Sequence, residues 1–185
     1  MLAAYLDTGY QIVLVAHIVF AIFGFGAVVL NGVYGAQIRA HSRAGRMTES
    51  LAVFEANFKV SSIGDYFMYA VFVLGLALVG MSDKTWKFSQ TWVWLATALF
   101  VVSLGVAQGL LRPRVKKVGN LMRELAAGGP PGGGAGGAPA GPPPQALELQ
   151  KLGPQVGIIG MTLDVMLVVM VVVMVFKPGA PGFGF

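Results

Sequence analysis

Residues Tyr10 to Tyr34 read YQIVLVAHIVFAIFGFGAVVLNGVY, 25 residues without one Asp, Glu, Lys or Arg. At about 1.5 Å rise per residue, such a run reaches across a hydrocarbon layer of roughly 30 Å. Inside lipid the backbone must satisfy its own hydrogen bonds, so the run is expected to be a helix. His17, Ala21, Gly24, Val28, Asn31 and Gly35 recur at spacings of 4, 3, 4, 3 and 4, which places them on one stripe. That stripe is small or polar, while the rest of the helix surface is aliphatic and aromatic. A lipid-facing stripe has no use for a histidine, so this one is expected to be the seam against which other helices pack.

Three more apolar runs follow, at about 60–81, 91–111 and 155–176, beside the first at 10–34. The chain is 56% hydrophobic and only 11% charged, against about 25% charged residues in an ordinary soluble domain. Together these indicate a single all-α membrane domain, an antiparallel bundle of four transmembrane helices. The net charge of +5 is no sign of nucleic-acid binding, because the basic residues gather at span ends. Arg39, Arg43, Arg46 and Lys59 separate spans one and two. Arg112, Arg114, Lys116, Lys117, Arg123 and Lys151 separate spans three and four. Only Lys84, Lys87 and Lys177 fall on the other side. Ten against three makes both longer loops cytoplasmic and puts both termini outside. Trp86, Trp92 and Trp94 surround the short outer turn, at the depth where indole rings settle. The expected location is the bacterial cytoplasmic membrane, crossed several times.

The segment MTESLAVFEANFKV (47–60) has helical character and no Gly or Pro, as a short interfacial helix leading into span two would. After span three, RPRVKKVGNLMREL continues as a basic helical extension. Residues 126–145 are then a Gly/Pro-rich cytoplasmic tether, which has too little apolar surface to bury. The tail 177–185 has the same character. There is no cysteine, which removes disulfides and thiolate metal sites. The first apolar run is too long for a signal-peptide core and follows Asp7 rather than a basic segment, so it is taken as a retained span.

His17 is the first candidate for chemistry, as a haem or metal ligand or a proton relay; the plainer reading is a histidine packed against a neighbouring helix. The only other histidine, His41, lies 24 residues on, about 36 Å along a continuous helix, so one haem held by both is disfavoured. A His–Met pair is the remaining haem arrangement, and a conventional zinc or copper site lacks ligands. Asp65 and Asp164 lie inside spans, where a carboxylate costs about 2.5–3.5 kcal/mol and usually faces the interior of the bundle. With Asn31 and Gln108 they are expected to form an intramembrane polar cluster, either an interhelical hydrogen-bond network or a proton or cation site. Arg112, Arg114, Lys116 and Lys117 make a basic cluster suited to anionic lipid head groups or serving as a topology signal. Gly105 with Gly109, and Gly153 with Gly157, are GxxxG pairs that permit close helix approach. No phosphate loop, nucleophile elbow, HExxH or dinucleotide fingerprint is present.

The first span with its histidine and Gly-rich half (AHIVFAIFGFG), the Trp-bearing outer turn and the ending MVFKPG resemble an uncharacterised family of predicted four-helix bacterial integral membrane proteins. More distantly, the His-plus-Gly first helix is similar to the copper-resistance D-type and HemJ-type membrane proteins. The latter similarity implies that His17 matches a first-helix histidine used in haem biosynthesis together with a later lysine. No lysine lies inside span two or three. The nearer family implies no established activity.

Three functions are carried forward. The first is a non-catalytic accessory or scaffold subunit of a larger membrane complex, respiratory or photosynthetic in kind, whose partners are the bilayer and other membrane subunits. The second is a haem-handling or redox protein using His17. The third is a small proton- or cation-coupled transporter using Asp65 and Asp164.

Overall fold

The computed structural model describes residues 7–83, 85–128 and 141–180. The central part of the Gly/Pro tether and the end of the tail lie outside these residues, as does Lys84. The described chain is all-helical, with four helices long and apolar enough to cross a membrane: α1 (Thr8–Arg43), α2 (Met47–Gly80), α3 (Thr91–Ala127) and α4 (Pro144–Phe176). Each is longer than its apolar run, because the flanking charged segments are themselves made of good helix formers.

Asp7 starts α1. Its carboxylate accepts the Gly9 N–H at 3.0 Å, and its carbonyl accepts the Gln11 N–H. This satisfies donors that a helix N-terminus leaves free. The connection between α1 and α2 shrinks to three residues, Ala44 to Arg46. Gly45 adopts φ 72°; the Arg46 N–H reaches back to the His41 carbonyl and the Gly45 N–H to Ser42. That pair of bonds is a Schellman ending, and the glycine is what allows the left-handed turn. The segment 47–60 is not a separate interfacial helix but the first 14 of the 34 residues of α2.

α3 holds a feature the sequence reading did not anticipate. Residues Ala107–Leu111 form a π turn, and the Arg112 N–H donates to the Ala107 carbonyl five residues back. Pro113 follows at once. A proline has no N–H to give its i−4 carbonyl, here that of Gly109, and its ring collides with it. The wider turn relieves that collision, so α3 runs on through Pro113 to Ala127. Arg114 Nη1 donates to the Leu110 carbonyl at 2.8 Å, satisfying an acceptor in the disturbed turn.

α4 begins at Pro144, well before the expected start near 155, and passes through Pro154. Pro144 stands at the helix's first position, where proline is tolerated, and ALELQKL carries the helix into the apolar run.

The chain divides into two compact units: Met1–Val29, Val60–Leu104 and Asp164–Phe185 in the first, Leu30–Lys59 and Gly105–Leu163 in the second. The first unit is packed through α1 and α2. A Cβ on Gly64 would stand 2.6 Å from Ala27 Cβ, one on Gly24 would stand 2.9 Å from Met68 Sδ, and one on Gly75 3.1 Å from His17 Cε1. Phe67 packs between Phe20 and Phe23, and Phe72 stacks on Phe100 at 4.7 Å. α3 turns Val93, Ala96 and Phe100 inward. The turn between α2 and α3 is tied by Gln90, whose Nε2 donates to the Thr85 carbonyl while its Oε1 accepts the Trp92 Nε1–H at 3.1 Å. Buried Ser82 accepts the Trp86 N–H and donates to the Val79 carbonyl. Lys177 Nζ lies 4.3 Å from the centre of a Trp86 ring that is itself buried.

The second unit is built on the α1–α2 turn and the charged half of α3. Ser50 is fully buried. Its hydroxyl donates to the Ile38 carbonyl at 3.1 Å, so its 2.8 Å bond with Ser42 has Ser42 as donor. Gly119 lets α3 come against Phe54, and Leu121 and Met122 are buried beside it in sequence.

Candidate functional site

The predicted stripe of α1 faces inward. Gly24 is buried, and His17, Ala21, Val28, Asn31 and Gly35 are half-buried; Ile22, Phe23, Gly26, Val29 and Val33 between them are exposed. α2 answers with Gly64, Met68, Val71, Gly75 and Leu78. The sequence reading missed this face, although two glycines eleven residues apart, three helical turns, mark it. The GxxxG pairs behave differently: at Gly105, Gly109, Gly153 and Gly157 an added Cβ would meet nothing within 4 Å. They are not packing points within the described residues.

His17 fills the space that Gly75 leaves empty. Its ring is hydrogen-bonded to the backbone of Val71, and its buried Nδ1 has no well-aligned hydrogen-bond partner among the described residues. Met68 packs at Gly24 and Met81 at Gly9, about 10–12 Å along α1 from His17 in opposite directions. Neither thioether stands beside the ring. Among the described residues, no three of His, Cys, Asp and Glu come together as a metal site would require. His41 belongs to the second unit, where its Nδ1 lies 2.9 Å from Glu49 Oε2, and Arg46 reaches the same oxygen at 3.1 Å.

The four residues expected to form one polar cluster divide between the units, Asp65 and Asp164 in the first, Asn31 and Gln108 in the second. Asn31, Asp65 and Gln108 are half-buried and hydrogen-bonded or paired. Gln108 Oε1 accepts from Arg112 Nη1 at 3.0 Å within the π turn. Asp164 departs from expectation. It is exposed, and it makes no hydrogen bond or ion pair among the described residues. Its neighbours on the same face, Met161, Val165 and Val168, are also exposed. Asp164 shares its face of α4 with Gly157 and Val168 at helical spacing, and that face turns outward rather than toward the other helices. The inward face of α4 carries Met166, which receives the Ser103 hydroxyl at 3.7 Å, with Met170 and Val173.

Of the four basic residues expected at the membrane surface, three are engaged. Arg112 bonds Gln108, Arg114 bonds Leu110 and Gln155, and Lys117 pairs with Glu148. Lys116 alone has no polar partner among the described residues. Arg123, which the sequence reading used only for topology, pairs with Glu55 at 3.1 Å and with Asn120 at 3.1 Å. Outside the spans, burial holds the Lys177 ammonium below the ordinary lysine value.

No family model, curated protein or solved structure matches this chain.

Proposed function

We propose that this chain is a non-catalytic accessory or scaffold subunit of a larger bacterial membrane complex, respiratory or photosynthetic in kind. In this reading its four helices form an antiparallel bundle in the cytoplasmic membrane with both termini outside, as the ten-to-three distribution of basic residues supports. Its resemblance to the uncharacterised four-helix family fits the same picture.

One observation carries the proposal: the exposed, unpaired carboxylate of Asp164. It lies twelve residues before Phe176, the end of α4, about 18 Å along the axis and hence near mid-membrane. Left facing acyl chains, it costs about 2.5–3.5 kcal/mol. A neighbouring helix that presents a cation or a hydrogen-bond donor removes that cost. The open glycines Gly153 and Gly157 on α4 leave room for close approach.

The test is a photo-crosslinking residue at Ile158 or Val168, read in native membranes. A discrete adduct to another membrane protein, lost in Asp164→Leu, is expected. Lipid adducts alone, with migration as a free monomer on a native gel, overturn the proposal.

His17 supports a second reading, a haem-handling or redox protein, because its enclosed Nδ1 has no well-aligned hydrogen-bond partner among the described residues. The visible spectrum of the purified protein tests it. A Soret band that disappears in His17→Ala supports it, and a spectrum without one removes it.

A further inference from the structure

In the second unit, Phe54 and Phe58 of α2 and Lys116, Gly119, Asn120 and Arg123 of α3 line a half-open hollow of about 180 Å³. Its chemistry is lopsided. The Arg123 guanidinium donates to Glu55 Oε1 through Nε and to Asn120 Oδ1 through Nη1. Those two bonds use the Asn120 carbonyl oxygen and one Glu55 oxygen. Left at the rim are donors: the Asn120 amide N–H groups, the second guanidinium nitrogen of Arg123, and the Lys116 ammonium. Glu55 balances the Arg123 charge and keeps a second acceptor oxygen, so the one uncompensated charge on the lining is the Lys116 ammonium, which together with the Asn120 amide suits a phosphate.

The other wall is aromatic. Phe54 and Phe58 are stacked, ring centres 6.4 Å apart and planes 18° from parallel. Phe54 is held against the backbone at Gly119, where a Cβ would stand 2.7 Å from its ring. A pocket with donors on one side and aromatic carbon on the other matches a group that is phosphate at one end and hydrocarbon at the next.

Depth points to the same ligand. Phe58 stands two residues before the apolar run of α2 and Lys116 five residues beyond that of α3, about 3 and 7.5 Å outside the hydrocarbon, while Phe54, Gly119, Asn120 and Arg123 lie on the water side, about 9–18 Å out. Head groups occupy roughly the 5–8 Å on each side that separates a core of about 30 Å from a bilayer of 40–45 Å.

We infer that the membrane-facing end of this hollow is a binding site for the phosphate of an anionic phospholipid, with Lys116 as its principal cation and Phe58 under the glycerol end. The site does not depend on the subunit reading. Lys117, one residue on but paired with Glu148, is not part of it.

The experiment is native mass spectrometry of the full chain in detergent, titrated with phosphatidylglycerol and, separately, with phosphatidylcholine of the same acyl chains. Phosphatidylglycerol is expected to bind the more tightly. Lys116→Gln is expected to weaken it about five-fold, corresponding to the ~1 kcal/mol of one basic residue at a membrane surface, with phosphatidylcholine unaffected. Lys116→Arg retains binding and Lys117→Gln leaves it unchanged. Equal losses in Lys116→Gln and Lys117→Gln would reduce the effect to diffuse surface charge and overturn the site. So would equal binding of the two lipids. A third arm adds inorganic phosphate: complete displacement of the lipid at equimolar phosphate would assign the hollow to free phosphate instead.

Discussion

Replacing Gly64 with alanine drives a methyl group into Ala27. The new Cβ would lie 2.6 Å from the Ala27 Cβ, whereas two carbons rest at about 3.5–4.0 Å. Neither partner has a rotatable bond with which to move aside, so α1 and α2 must part by about 1 Å at their closest point. Gaps of about 0.5–1 Å forfeit a quarter to a half of each dispersion contact, and the adjoining Gly24–Met68 and His17–Gly75 contacts open with them. Overpacking of this kind costs about 1–3 kcal/mol, and in lipid no hydrophobic gain offsets it. The assay is reversible unfolding of the detergent-solubilised protein by SDS, followed by Trp fluorescence. Gly26→Ala and Gly32→Ala, at positions with nothing within 4 Å, report the ordinary helix-propensity gain of roughly 1 kcal/mol and serve as the baseline. In the double variant Ala27→Gly, Gly64→Ala the clash is gone, and stability is expected to match Ala27→Gly alone or better. The packing argument fails if Gly64→Ala falls with the two controls, or if Ala27→Gly gives no rescue.

Two further perturbations probe other parts of the chain. Ser50→Ala removes a fully buried hydroxyl that donates to the Ile38 carbonyl and accepts from Ser42; a loss of about 1–3 kcal/mol is expected in the same assay. Ser42→Ala, which leaves the Ile38 bond in place, should cost less. Lys177 has a folded-state pKa below its unfolded value because of burial, so between the two values the unfolded chain binds the more protons. Stability should therefore rise with pH through the window just beneath 10.5. The slope will be small for a half-buried side chain, and Lys177→Met should abolish it.

How much was legible in the residues follows from what periodicity encodes. The long apolar runs set the number of helices, since a single segment of some twenty residues satisfies its own backbone in lipid only by coiling on itself. The inward stripe of α1 was legible because it was small and polar among bulky neighbours. On α4 the expectation that an intramembrane carboxylate faces the bundle interior gave Asp164 the wrong direction. Spacing says which residues share a face, and only packing says where that face points. The π turn was hidden because it arises from a collision between Pro113 and a carbonyl four residues back, which no apolar pattern registers. The early start of α4 was hidden because Pro144 and Pro154 look like interruptions, whereas the first opens the helix and the second is tolerated inside it. The hollow at Lys116 needed the structure, because its neighbours Arg112, Arg114 and Lys117 look identical to it until their partners are known.

The connections between helices differ sharply in length. Three residues join α1 to α2, while sixteen separate Ala127 from Pro144. Fully extended, the short link reaches about 10 Å and the long one about 55 Å, more than the thickness of a bilayer. α1 therefore has no mate for its seam except the α2 of its own molecule. α4 is under no such constraint: what holds it to its own α3 is side-chain bonding, Arg114 with Gln155, Lys117 with Glu148 and Ser103 beside Met166, rather than a short connection.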